Sequence, residues 1–225
     1  TVRGENGAMP DLRLLTPDRV GDLVGACAPC TFWQTVPHNG HGAPEDPREL
    51  LTRWVEQVCA DWGPPGRVAY EDGVPVGHVV IAPARLVPRL AAFATAPSHP
   101  GTVMLLTATT AGDDRHGLRK ALVHAASKDV LRQGGRSLDV VAARPVAVTR
   151  HPCVMEAAPL ERFGFRVQRE HPAYPRLRID LRTVVTLRDG AAAYVAKALA
   201  RIPGVAPAPE AHPNGTSRAR VDDPI

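Results

Sequence analysis

Thr102-Val103-Met104-Leu105-Leu106-Thr107-Ala108-Thr109 is a continuous run of apolar and β-branched residues of strand length, leading into the polar loop Asp113-Asp114-Arg115-His116-Gly117-Leu118-Arg119-Lys120. A run without polar alternation suits a strand covered on both faces, so it predicts a central strand. After the loop, Leu118, Ala121, Leu122, Ala125, Ala126 and Val130 recur at helical spacing until Gly134-Gly135 ends the pattern. Residues 137–143 are apolar again. Strand, helix and strand in that order make a βαβ crossover, which sets two strands parallel side by side.

Working toward the N-terminus, Arg67-Val68-Ala69-Tyr70, Glu71-Asp72-Gly73 and the run 74–81 read as a hairpin with Asp-Gly in its turn. Prolines 83, 88, 97 and 100 mark the connection to the central strand as loop. Asp46-Pro47-Arg48-Glu49 resembles a capping box, and Leu50, Leu51, Trp54, Val55, Val58 and Cys59 follow at helical spacing as far as Gly63. Residues 12–15 read as a first strand, and Thr16-Pro17-Asp18 as the start of a helix over 17–26. Between these helices, residues 27–45 are rich in Pro, Gly and His and have no period, so they read as loop.

Toward the C-terminus, residues 159–163 suggest a short helix closed by Gly164, and 165–169 and 177–181 two final strands. Leu187, Ala191, Tyr194, Val195, Ala198, Leu199 and Ile202 mark a last amphipathic helix. Residues 203–225 carry Pro, Ala and charge without apolar periodicity, the composition of a disordered tail.

With 44% hydrophobic and 22% charged residues, the chain has the balance of a globular protein, but only 4% are aromatic, so alanine and valine must fill much of the core. The formal charge of +4 is spread through the sequence rather than gathered in a basic block, and nucleic-acid binding is not indicated. Residues 1–10 contain no apolar signal region, and no stretch approaches the ~20 apolar residues of a membrane span, so a cytoplasmic protein is expected. Four cysteines in 225 residues do not form a secreted disulfide framework, and reduced thiols are expected.

Hairpin, central strand, glycine-containing loop, helix, strand, short helix ending in Phe163-Gly164-Phe165, and final strands: this order resembles the GNAT superfamily of N-acetyltransferases over residues 12–181. Several phrases resemble a bacterial subfamily: Cys30-Thr31-Phe32-Trp33, Asp61-Trp62-Gly63-Pro64-Pro65-Gly66-Arg67-Val68-Ala69, Asp72-Gly73-Val74-Pro75-Val76-Gly77, and His171-Pro172-Ala173-Tyr174-Pro175-Arg176-Leu177-Arg178-Ile179-Asp180-Leu181. The resemblance implies an α/β (α+β) fold, a central mixed β-sheet with helices on both faces. It divides the chain into a flexible N-terminus at 1–10, a single domain at 11–202 and the tail at 203–225.

The activity implied is acetyl-CoA-dependent transfer of an acetyl group to a primary amine of a small molecule or a protein. The alternative is a catalytically degenerate domain with a ligand-binding or regulatory role. Carried onto this sequence, the pantetheine would lie along the backbone of Thr107, Ala108 and Thr109, and the pyrophosphate among Arg115, His116, Gly117, Leu118, Arg119 and Lys120. A helix start suits an anion on general grounds, because its first N–H groups are unpaired and carry partial positive charge.

The family loop usually reads Arg or Gln, two residues, Gly, one residue, then Gly or Ala, whereas this chain has Asp114, Arg115, His116, Gly117, Leu118, Arg119. Two readings stay open. Arg115, Arg119 and Lys120 hold phosphate through their side chains, since a guanidinium pairs with phosphate in bidentate fashion. Otherwise they form a solvated first helical turn.

Acetyl transfer needs a neutral amine and a proton for the departing thiolate. The family's acid is often a tyrosine after the crossover strand. The matching segment, His151-Pro152-Cys153-Val154-Met155-Glu156-Ala157-Ala158-Pro159, has none, which leaves Cys153 and Glu156 as catalytic candidates. Their structural alternatives are buried packing for Cys153 and a helix-capping charge for Glu156. Tyr70 and Tyr174 read as packing residues. Cys27-Ala28-Pro29-Cys30 with His38 and His41 has zinc-ligand types, but the gap and the His spacing are too short for a zinc finger. No metal is expected there. Whether Cys27 and Cys30 form a redox-sensitive disulfide is left open by the sequence.

Overall fold

A computed structural model describes residues 10–36, 46–112, 114, 117–147 and 153–181. The helix expected from Leu187 to Ile202, the two terminal segments 1–9 and 203–225, and His38, His41, Arg115 and His116 lie outside the described residues.

Seven strands form one mixed sheet: β1 (Asp11–Leu14), β2 (Gly66–Glu71), β3 (Val74–Pro83), β4 (Val103–Thr110), β5 (Ser137–Val141), β6 (Arg166–Arg169) and β7 (Arg176–Asp180), in the spatial order β1-β2-β3-β4-β5-β7-β6. Strands β1 to β4 are antiparallel neighbours, β4 and β5 are parallel, and β5-β7-β6 are antiparallel again. The hairpin turn falls on Asp72 and Gly73, with φ of 50° and 80°, the left-handed pair that matches the twist of the flanking strands.

Helix α1 (Pro47–Asp61) starts where the sequence predicts. Asp46 caps it by accepting the Arg48 N–H at 2.8 Å, with Pro47 in the first turn. Its stripe Leu51, Trp54, Val55 and Val58 packs with Val68, Tyr70, Val80, Ala82, Met104 and Leu106 on one face of the sheet. Burying each such side chain contributes about 1.5–3 kcal/mol. That outweighs the few tenths of a kcal/mol by which the β-branched Val55 and Val58 weaken a helix. Helix α2 (Leu118–Arg132) packs on β2, β3 and β4 through Leu122, Val123, Ala126 and Val130, and Arg67 on β2 fastens it by a two-pronged pair to Asp129 (2.6 and 2.8 Å). The mixed sheet thus carries helices on both faces, as expected.

Three boundaries differ from expectation. Residues 17–26 form two 3-10 turns, Pro17–Asp22 and Gly25–Cys27, rather than one α-helix. Thr16 makes no cap because its hydroxyl accepts from Arg19 (2.7 Å); Val24 is extended and gives its N–H to His78, and Gly25 turns left-handed at φ 69°. Helix α3 covers Ala157–Arg162, two residues earlier than Pro159 suggests, with the proline inside its first turn, where a missing N–H costs nothing. Strand β5 ends at Val141, and beyond it Ala143 makes a single parallel bridge to Glu156, which ties the start of α3 to the end of β5.

On the far side of the sheet, Asp139 of β5 is fully buried and bridged by Arg178 of β7 (2.6 and 3.1 Å) and by Arg176 (3.5 Å). Removing one member of such a buried pair costs about 3–5 kcal/mol, because the other is left uncompensated.

Candidate active site

Strands β4 and β5 are paired at one position only, Met104 with Asp139. Beyond it they part. Thr107, Ala108 and Thr109 keep Val80, Val79 and His78 of β3 as partners on one edge, and no described strand pairs with their other edge. An irregularity of register sharpens this point, since Val80 faces Thr107 while Ile81 faces Leu105, leaving Leu106 as an extra residue in β4. A bulge of this kind bends a strand and re-aims its side chains. Here Leu106 and Thr107 both line the same internal cavity.

Beside the free edge of β4, between it, α2 and the segment that leads into α3, is a groove of about 370 Å³, and its lining includes Thr107, Ala108, Thr109, Arg119, Cys153 and Glu156. Six of the residues singled out in the sequence therefore converge. Gly117, Leu118 and Lys120 do not line the groove, and Lys120 is exposed. Gly117 stands at the N-cap of α2 with φ 70°, a left-handed conformation that side chains disfavour, and a Cβ there would meet nothing within 4 Å. The space over the helix start is open.

Arg119 is half-buried, and its Nε is buried without a hydrogen-bond partner among the described residues. Its backbone N–H donates to Asp114 Oδ1 at 3.0 Å. The chain's own carboxylate thus occupies one of the amides that an anion at this helix start would use. Glu156, at the N-cap of α3, is exposed and makes no side-chain cap bond.

Behind the groove lies a second, smaller cavity of about 30 Å³, walled by Leu15, Leu23, Trp33, Leu51, Trp54 and Leu106, among others. Cys27, Thr107 and Cys153 line both spaces, so the cavities meet at these three side chains. Cys153 Sγ lies 2.7 Å from Cys30 Sγ, and Trp33 Nε1 donates to the Cys153 carbonyl at 3.3 Å, which holds the segment around residue 30 against the loop before α3. All four cysteines are free thiols, and Cys30 contacts Cys153 rather than forming a disulfide with Cys27. Burial pushes the Cys153 thiol up to about 12, aided by the contact with Cys30; burial also raises Cys27, partly offset by its hydrogen bond to Thr107. Both are neutral thiols at pH 7. As hydrogen-bond donors they suit this junction; as nucleophiles they are poor.

The sequence did not single out His78, Gln34 or Cys27 as parts of this site. His78 is fully buried on β3, its Nδ1 accepts the Val24 N–H at 3.1 Å, and its Nε2 has no partner among the described residues. Burial lowers its pKa to about 4. The ring is therefore neutral at pH 7 and carries its proton on Nε2. Gln34 Oε1, also buried, is likewise unpartnered. The one sequence signal was a histidine within the apolar run 74–81. Tyr70 and Tyr174 stand apart from both linings: the Tyr70 hydroxyl donates to Asp22 at 2.5 Å, and the Tyr174 ring packs edge-on against Phe93. Among the described residues, no group of three or more His, Cys, Asp or Glu is arranged to hold a metal, and no helix is long and apolar enough to cross a membrane.

No protein-family model matches the chain, and no curated protein matches it. Solved structures do. The PaiA N-acetyltransferase from Thermoplasma acidophilum in complex with coenzyme A is 14% identical, with 77% of this chain and 99% of that one covered at a TM-score of 0.49. An N-acetyltransferase from Staphylococcus aureus Mu50 is 13% identical, with 77% of this chain and 99% of that one covered and a TM-score of 0.49. The aminoglycoside acetyltransferase AAC(6')-Ib in complex with coenzyme A is 16% identical, with 80% and 99% covered and a TM-score of 0.49. The strand order, the crossover through α2 and the open edge of β4 beyond Met104 are read from the chain itself, and they match the mixed-sheet α/β fold that the sequence resemblance implies.

Proposed function

We propose that the chain is an acyl-CoA-dependent N-acyltransferase, using acetyl-CoA to acetylate a primary amine. The observation that carries this reading is the junction at Cys27, Thr107 and Cys153, where a groove with a guanidinium nitrogen unpartnered among the described residues meets a smaller, mostly apolar cavity. Two features of the groove and one beside it fit the cosubstrate. Thr107, Ala108 and Thr109 offer pantetheine amides an edge that no described strand pairs, Arg119 in the lining supplies a charged donor, and the helix start at Gly117, outside the lining, has room for phosphate among the described residues.

An acyl thioester bound there supplies an activated carbonyl carbon and a thiol leaving group, so that attack by the amine gives an amide and free thiol. Cys153 and Cys27, both protonated at pH 7, are hydrogen-bond donors beside that point. Glu156, exposed at the outer rim, is the carboxylate of the lining and the candidate to take the amine's proton through water. Titration calorimetry with acetyl-CoA, followed by thiol release with a panel of primary amines, tests this. No heat and no thermal shift at millimolar acetyl-CoA overturns it.

A second reading, a domain that binds CoA without turning it over, is favoured by the Asp114 carboxylate on the Arg119 N–H. Binding without thiol release from any amine supports it over the first.

A further inference from the structure

The inner cavity has a chemistry of its own. Among the described residues that line it there is no carboxylate, lysine or arginine. Its polar groups include two that are buried and unpaired among the described residues: His78 Nε2, which must carry hydrogen because Nδ1 accepts from Val24, and Gln34 Oε1, an acceptor. Leaving such groups without partners costs about 1–3 kcal/mol each, so a site that keeps both is arranged for something that pairs with them. His78 sits on β3 in the middle of the sheet, and its ring is held by a backbone N–H from the 3-10 region. Its direction is fixed before any ligand arrives.

Resting on the transferase reading, we propose that this cavity selects the acceptor. It takes the far end of a primary amine whose short, uncharged, apolar arm ends in a hydroxyl, with the oxygen accepting from His78 Nε2 and the hydrogen donated to Gln34 Oε1. A hydroxyl is the small group that both accepts and donates. The volume of about 30 Å³, against the ~10–15 Å³ that one water needs, admits an arm tip of a few heavy atoms. The amine at the other end then reaches the junction of Cys27, Thr107 and Cys153. Polycationic acceptors are excluded, because a second ammonium would enter an apolar space with no carboxylate to meet it.

Three amines of one chain length separate the possibilities: 5-amino-1-pentanol, pentylamine and 1,5-diaminopentane, ending in hydroxyl, methyl and ammonium. Binding to the full chain is read by the imidazole nitrogen resonances of His78 and by equilibrium dialysis, without acetyl-CoA. The amino alcohol is expected to bind at least tenfold more tightly than pentylamine, and the diamine most weakly. A site built to hydrogen-bond a hydroxyl rejects analogues that lack it. Gln34→Leu and His78→Leu are each expected to erase the preference for hydroxyl over methyl; Gln34, on the surface side of the cavity, keeps the test informative if His78→Leu fails to fold. Equal binding of all three amines, tightest binding of the diamine, a preference that survives Gln34→Leu, or no binding with His78 and Gln34 satisfied by water alone overturns the proposal. If the amino alcohol binds as expected but releases no thiol from acetyl-CoA, the transferase reading fails and this site stands.

Discussion

The groove beside β4 holds about 370 Å³ and carries a guanidinium and a carboxylate, whereas the cavity behind it holds about 30 Å³ and presents thiols, an amide, a hydroxyl and a neutral imidazole. Both draw on the same stretch of β4, residues 106–109. What separates them is size and polarity. In the groove, Arg119 and the exposed Glu156 present charged groups to an ionic ligand. In the smaller cavity a charge would cost several kcal/mol, and burial there keeps the Cys27 and Cys153 thiols and the His78 ring neutral at pH 7. The contrast assigns the ionic part of a ligand to one side of the junction and the uncharged part to the other.

The largest measurable consequence is at Cys153. Alkylation proceeds through the thiolate, and a thiol near 12 has about a thousandfold less thiolate at pH 8 than an unperturbed cysteine near 8.5. Iodoacetamide labelling followed by peptide mass spectrometry is expected to leave Cys153 unmodified while a small-peptide thiol control reacts fully. Labelling at the control rate would break the contrast, because it would mean that water reaches the junction freely.

Next in size is His78. Its folded pKa lies near 4, below the ~6.5 of an unfolded histidine, so below pH 6.5 the unfolded chain takes up the proton first. The stabilisation is complete above about pH 6.5 and is lost as pH falls toward 4. The expected loss is about 3 kcal/mol, measured by urea unfolding at pH 7, 5.5 and 4. Replacing His78 by Leu is expected to remove this part of the slope; an unchanged slope would show that the ring is hydrated in the folded state.

The smallest effects belong to the groove, where they have opposite signs. Arg119→Ala is expected to weaken acetyl-CoA binding about tenfold or more, the loss of a charge-assisted bond. Asp114→Asn is expected to tighten it about two- to fivefold, because a negative charge leaves a helix start that would receive phosphate. Calorimetry on both variants decides whether Arg119 grips the phosphate or closes the site.

Much of the fold was legible because its signals are periodic and local. The stripe of α1, the Asp72-Gly73 turn and the unbroken apolar run of β4 each specify an element without reference to the rest of the chain. The failures come where a long-range contact decides. The 17–26 segment has a good helix start, but its Val24 N–H goes to a ring 54 residues away. The site was half legible for the same reason. The β4 residues, Arg119, Cys153 and Glu156 could be carried over from a motif order. Cys27, Gln34 and His78 join the site only through tertiary packing, and nothing in their spacing announces it.

The single paired position between β4 and β5 bears on how the chain comes apart. Strands β1 to β4 share one hydrogen-bonded ladder and β5, β7 and β6 another, with one rung between them. Two such ladders are expected to open as separate cooperative units, so amide exchange should sort into two families of rates, one for each half of the sheet. A molecule lying in the cleft would supply the missing rungs and slow both families together. The seam that admits a ligand is then also where the folded chain yields first, and binding is what closes it.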